Sequence, residues 1–324
     1  METNDERKAR KTAERLERQR VEEIRRADVH ARRIASMPKI VSLQELLFPV
    51  ELRDEEMDSN SEYAKRVVGL GIGVDGSEKL LNQCSPRYEL VPNDDIFPNI
   101  EQVLIANNIE YEVTYTHIGH VRFYADYRIT DSRYGYTIKG TGDKIQPMLR
   151  VQHSYNGLVK YRIVFGYFRL VCENGLVVPV EEMKKYNLII TGKHTESIKK
   201  SFAKLNGLLV YFAAEADKIV GEITAKYEKL ADTKVTKLND RITEVLEAVN
   251  VNVVENAKFN TVQDIASRVT AETKDSRVTN HVTDWLVYNG INQYLNDNER
   301  NIVAPEKRIE TDSKVLEYML KHAA

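Results

Sequence analysis

The sequence has little cysteine: two residues in 324, Cys84 and Cys172, far apart and each standing alone. Two lone cysteines make a disulfide framework unexpected, and likewise a zinc knuckle, which needs closely paired ligands, and the usage suits a reducing cytoplasm. Long apolar runs are missing too. The longest, Leu208 to Ala214, falls far below the roughly 20 residues of a membrane helix, so no membrane partner is expected. The N-terminus is charged from its first residues and has no secretory apolar segment. Nor does one sign of charge dominate. Lys and Arg number 47 against 49 Asp and Glu, a formal net charge of −2. A nucleic-acid site would have to be a local patch. No GxSxG, HExxH or phosphate-loop pattern occurs, so neither a catalytic residue nor a cofactor is expected.

What remains is globular composition, 42 % hydrophobic and 30 % charged, in a chain long enough for a sizeable core. Residues 1–40 read as a charged helical arm. Lys and Arg outnumber Asp and Glu there by 12 to 8 up to Lys39, and Glu14–Arg18 and Glu22–Arg26 have helical i,i+4 spacing. The plain reading is a solvated tail; the alternative is an arm that orders on contact with a partner. Residues 41–83 read as an irregular connector. The stretch GLGIGVDGS at 69–77 has four glycines, but no Lys-Ser or Lys-Thr pair follows it, so a loop is expected rather than a phosphate cradle.

Residues 84–324 read as one α+β domain. A helical pattern covers Asn93 to Asn107, with Asp94 and Asp95 near its start, where acids suit the helix dipole. From Tyr111 the period changes to two. Val121, Phe123, Ala125, Tyr127 and Ile129 alternate with polar residues in a half-buried strand. Met148 to Gln152 and Lys160 to Val171 read as further strands of an antiparallel sheet at about 111–180. SYNG at 154–157 signals a two-residue hairpin. Residues 194–322 are helical. Apolar residues from Ile198 to Leu230 predict one long amphipathic helix broken near Asn206–Gly207, and patterns at 235–249, 260–272, 280–296 and 311–322 follow. Strands grouped before helices argue α+β rather than a doubly wound sheet.

Candidate sites are few. His117 and His120 flank Gly119 without a third ligand at useful spacing, so a structural role is the simpler reading. Cys172 reads as a small core residue. Neighbouring acids such as Asp94–Asp95 and Glu181–Glu182 point in different directions in a regular element and make poor acid/base pairs. Strand parity is more informative. It places Arg122, Arg128, Arg150, Lys160 and Arg162 on one polar face, with Tyr124 among them. Such a face could track a single-stranded backbone and stack bases. A solvated outer face rich in Lys and Arg is the plainer reading, and one bulge, for example at Gly166, would change which side the cations take.

The segments CSPRYELVPNDDIF (84–97), SYNG (154–157), GYFRLVCENGLVVP (166–179), KHT (193–195) and TDWLVYNGINQYL (283–295) resemble the domain of unknown function 932 family. The resemblance runs over roughly residues 80–296. Its members carry phage- or plasmid-like labels, which implies a bacterial cytoplasm or a virion. The family supplies no catalytic residues. The order of helix, antiparallel strands and long helix is also similar in topology to the single-strand annealing proteins of recombination, an analogy that does not fix function. The expectation is a non-enzymatic phage or mobile-element protein. It would bind or anneal single-stranded DNA in replication or recombination, as a homo-oligomer built through its long helices. A structural or virion-associated assembly protein is the alternative, with phage protein partners for the N-terminal arm.

Overall fold

A computed structural model describes residues 39–54, 65–73, 75–169, 174–186, 188–192, 197–250, 255–275, 281–296 and 305–323. The charged arm at 1–38, Cys172 and the KHT segment lie outside the described residues.

The alternating segments form the strands they predict. In β5 (Tyr111–Ile118), β6 (Arg122–Ile129), β8 (Lys144–Ser154) and β9 (Tyr161–Arg169), every second side chain enters the core. Phe123, Ala125, Tyr127, Leu149, Val151, Tyr161, Ile163, Phe165 and Tyr167 are essentially inaccessible to water. With β1 (Lys39–Val41), β7 (Tyr136–Thr137), β10 (Asn174–Leu176) and β11 (Ile189–Gly192) they make an eight-stranded sheet. Its path is β1-β5-β6-β8-β9-β10. β7 joins β8, and β11 joins β9 beside β10. All its ladders are antiparallel.

Three expectations need correction. The described residues of the stretch 41–83 are not an irregular connector. Besides the end of β1 and a one-turn helix α1 (Leu43–Leu46), they supply β2 (Val50–Asp54), β3 (Lys65–Gly69) and most of β4 (Lys79–Cys84), which form a second, three-stranded sheet. Its charged, half-exposed strands hide the alternation that betrays the larger sheet. The glycine-rich stretch is the loop between β3 and β4. Gly71 and Gly76 adopt left-handed φ of 70° and 78°, and Ser77 N–H donates to the Asp75 carboxylate at 3.0 Å. The SYNG turn is longer than two residues. β8 ends at Ser154, β9 starts at Tyr161, and only Gly157 of the Asn-Gly pair is left-handed (φ 69°). Ser154 Oγ holds this wider loop, donating to Val159 O at 2.8 Å and accepting Val159 N–H at 3.1 Å.

Helix α2 (Phe97–Ala106) follows a 3-10 turn at Asn93–Asp95, and α3 is Val180–Lys185. Helix α4 (Ser197–Asp232) lays its apolar stripe on the core face of the large sheet. Phe212 sits 4.7 Å from the ring of Phe165, and Tyr227 6.3 Å from that of Tyr167. The third correction falls here. The helix runs through Asn206–Gly207, and its backbone departs from helical values at Glu215 instead (φ −114°, ψ 17°). The last elements are α5 (Leu238–Ala248), α6 (Glu255–Asp275), α7 (Asp284–Asn296) and α8 (Pro305–His322). In α7 every residue from Asp284 to Asn292 is buried, so this helix is hydrophobic-core material on all sides.

Candidate functional site

The ladder registers decide which of the predicted site residues meet. Across β6, β8 and β9 the pairs Arg122↔Ser154, Tyr124↔Gln152↔Arg162, Asp126↔Arg150↔Val164 and Arg128↔Met148↔Gly166 run without a shift. No bulge occurs at Gly166. Arg122, Tyr124, Arg128, Arg150 and Arg162 therefore share the face opposite α4. Lys160 lies in the loop just before β9 and is exposed.

Sharing a face does not make the five equivalent. Arg150 forms a bidentate pair with its cross-strand neighbour Asp126, at 2.6 and 2.8 Å. It is spent as a ligand-binding cation. Tyr124 is 4 % exposed, so its ring offers no surface for a base to stack on. Parity alone identifies neither the cross-strand carboxylate beside Arg150 nor the burial of Tyr124. Arg128 lies with its guanidinium 4.0 Å above the ring of Phe168. Arg128 and Arg162 are half-buried and make no ion pair among the described residues. Arg122 sits at the end of β6 beside Ser154. The same face also carries Arg122, Arg128 and Arg162, with Lys160 at its margin and Glu112, opposite Arg128, as a nearby acid.

At the other end of the sheet lies a polar centre that parity did not reveal. Asp143 Oδ2 accepts from Arg169 Nη2 at 2.6 Å and from the Trp285 indole N–H at 2.6 Å, and Arg169 also pairs with Glu272 on α6. Arg169 is 1 % exposed, so two carboxylates compensate one buried cation. Nearby, Asn292 Nδ2 donates to Gly175 O at 3.1 Å and to Asp312 Oδ2 at 2.8 Å, and the Tyr288 hydroxyl donates to the same carboxylate at 3.2 Å. Burial drives the Asp312 carboxyl up to about 7; these hydrogen bonds and the Arg150 charge oppose the rise without cancelling it. A Cβ on Gly175 would stand 2.8 Å from Met148 Cε and 2.9 Å from Arg150 Nη2, which explains glycine in a strand at this close approach. The signal in the sequence was the motif TDWLVYNGINQYL around the single tryptophan, which the fold buries from Thr283 to Asn292. Trp285 reaches Asp143 and Asn292 reaches Gly175 across more than 100 residues, beyond the reach of spacing arguments.

The histidine pair stays structural in geometry. The rings of His117 and His120 lie 4.2 Å apart, and His117 Nδ1 accepts the His120 N–H at 3.2 Å. Burial, with help from the neighbouring histidine and lysines, holds His117 down near 4, so it is neutral at pH 7. Among the described residues no group of three or more His, Cys, Asp or Glu is placed to hold a metal ion. No described helix is long and apolar enough to cross a membrane.

Two of the segments that carried the resemblance meet here. GYFRLVCENGLVVP supplies Arg169 and Gly175, and TDWLVYNGINQYL supplies Trp285, Tyr288 and Asn292. No curated protein and no solved structure matches the chain. The family model of the domain of unknown function DUF932 matches residues 80–319, and the chain belongs to that family.

Proposed function

We propose that this chain is a non-enzymatic protein that binds single-stranded DNA along the polar face of its large sheet, in the replication or recombination of a phage or mobile element. One observation carries the reading: an unshifted register gathers Arg122, Arg128 and Arg162 on one face. Half-buried guanidiniums with no ion pair among the described residues, as at Arg128 and Arg162, are suited to phosphate oxygens. The Arg150–Asp126 pair fixes the strands between them rather than touching the ligand. Because Tyr124 is buried, the contact is to the backbone and not to stacked bases, so little sequence preference is expected. The test is fluorescence anisotropy of a labelled 20-nucleotide strand titrated at low salt. Saturable binding that weakens as salt rises is expected. Absence of binding at low salt, where the electrostatic contribution is strongest, ends the reading.

A structural or interaction protein of a bacteriophage is the second reading. Exposed Ile189, Val210 and Tyr211 favour it. Mass spectrometry of purified particles separates a virion-associated protein from one left in the cell.

A further inference from the structure

Strand β11 is an edge. It pairs with β9 through Ile189↔Val164 to Gly192↔Tyr161, and no strand among the described residues lies on its other side. The ladder begins with Phe165 N–H donating to Leu188 O at 2.9 Å. Antiparallel ladders alternate, so Ile190 and Gly192 turn their backbone groups toward β9. Ile189 and Thr191 turn theirs outward, which leaves two N–H donors and two carbonyl acceptors on the open edge.

Beside this edge runs a groove of about 550 Å³, lined by Lys185, Tyr186, Ile189, Lys204, Leu208 and Tyr211 among others. One wall is α4 and the other is the strand. Ile189 is 38 %, Val210 54 % and Tyr211 41 % exposed, although each belongs to a regular element next to the core. Natural proteins commonly blunt such an edge with charge or proline, or cover it. The described lining includes two lysines and no carboxylate. Lys185 is paired with Glu222 on α4, whereas Lys204 is exposed with no ion pair among the described residues.

We propose that β11 and the groove under α4 form a docking site for an extended, apolar and acidic segment of a partner protein, which adds to the sheet as a further strand. Main-chain hydrogen bonds to Ile189 and Thr191 would hold it, alternate apolar side chains would enter the groove, and the exposed Lys204 would favour its net negative charge. A second copy of this chain is the poorer occupant. Two β11 edges paired about a two-fold axis would bring the lysines of both grooves to one interface, where like charges oppose association.

The probe is a fluorescein-labelled octapeptide of alternating glutamate and valine, with an alternating lysine and valine peptide for comparison. Anisotropy should show saturable binding of the acidic peptide alone. Backbone amide exchange should slow at Ile189 and Thr191 when it binds. Lys204→Glu should weaken binding about tenfold or more while leaving the melting temperature unchanged. Thr191→Pro removes one outward donor and should weaken binding without loss of the β9 ladder, which the amides of Ile190 and Gly192 report. Three results would overturn the proposal. They are no saturable binding up to millimolar peptide, equal binding of the basic peptide, or slowed exchange at Ile189 and Thr191 that depends on protein concentration alone, which identifies a second copy as the occupant.

Discussion

Asp312 shows how far one residue's chemistry departs from its sequence appearance. On paper it is an ordinary acid in a charged helix. In the fold it is 3 % exposed, bound by Tyr288 and Asn292 and faced by Arg150. Its carboxyl titrates near 7 rather than at the ordinary 3.8. The folded state therefore holds a proton that the unfolded chain releases at lower pH. Its stability contribution is fully present below about pH 4 and is lost as pH rises through 7. Asp312→Asn should remove that loss. The variant should melt higher than the parent at pH 8, by a margin on the order of a few kcal/mol, and the two should converge near pH 4. Thermal melts of both proteins between pH 4 and 8 check this, and parallel profiles would refute it. The titratable groups around it are Arg150 with its partner Asp126, Tyr288 and Tyr227, and the tyrosines stay neutral throughout this range because burial raises them further.

At the scale of elements, α4 separates what pattern can reveal from what it cannot. Its apolar spacing predicts a helix, and its stripe is the one that covers Phe165 and Tyr167. The glycine at 207 predicts a break because glycine weakens helices, yet the helix continues and a Cβ there would meet nothing within 4 Å. Tertiary packing outweighs local propensity at that point. Gly207→Ala should therefore stabilise the protein by about 0.5–1 kcal/mol, read as a higher urea midpoint at unchanged slope. A lower midpoint would mean that the backbone there is not helical. The sheet was legible for the same physical reason that α4 was. The sequence of β6 alternates apolar Phe123, Ala125, Tyr127 and Ile129 with charged Arg122, Asp126 and Arg128 around Tyr124. The second sheet was not, since Val50–Asp54 and Lys79–Cys84 are short and partly charged on both sides. The polar face was legible as a set of arginines through parity. The Arg150–Asp126 pair and the burial of Tyr124 were not, because they depend on neighbours that only the register supplies.

Across the whole molecule, the helices that looked available for assembly are largely occupied within the chain. α7 is buried on all sides, and α4 spends its stripe on the sheet, leaving Val210 and Tyr211 outside. Among the described residues, two surfaces of different chemistry stand out for partners. One is the arginine-bearing sheet face, and the other is the apolar edge at β11. The first carries the central claim. It is tested most directly by comparing the salt dependence of single-stranded DNA binding by the parent chain and by the Arg122→Ala, Arg128→Ala, Arg162→Ala triple variant. Circular dichroism should show the same fold for both. Three lost phosphate contacts should lower the slope of log affinity against log salt by about 2 and weaken binding at every salt concentration. Equal slopes and equal affinities for the two proteins would contradict the assignment of this face to DNA.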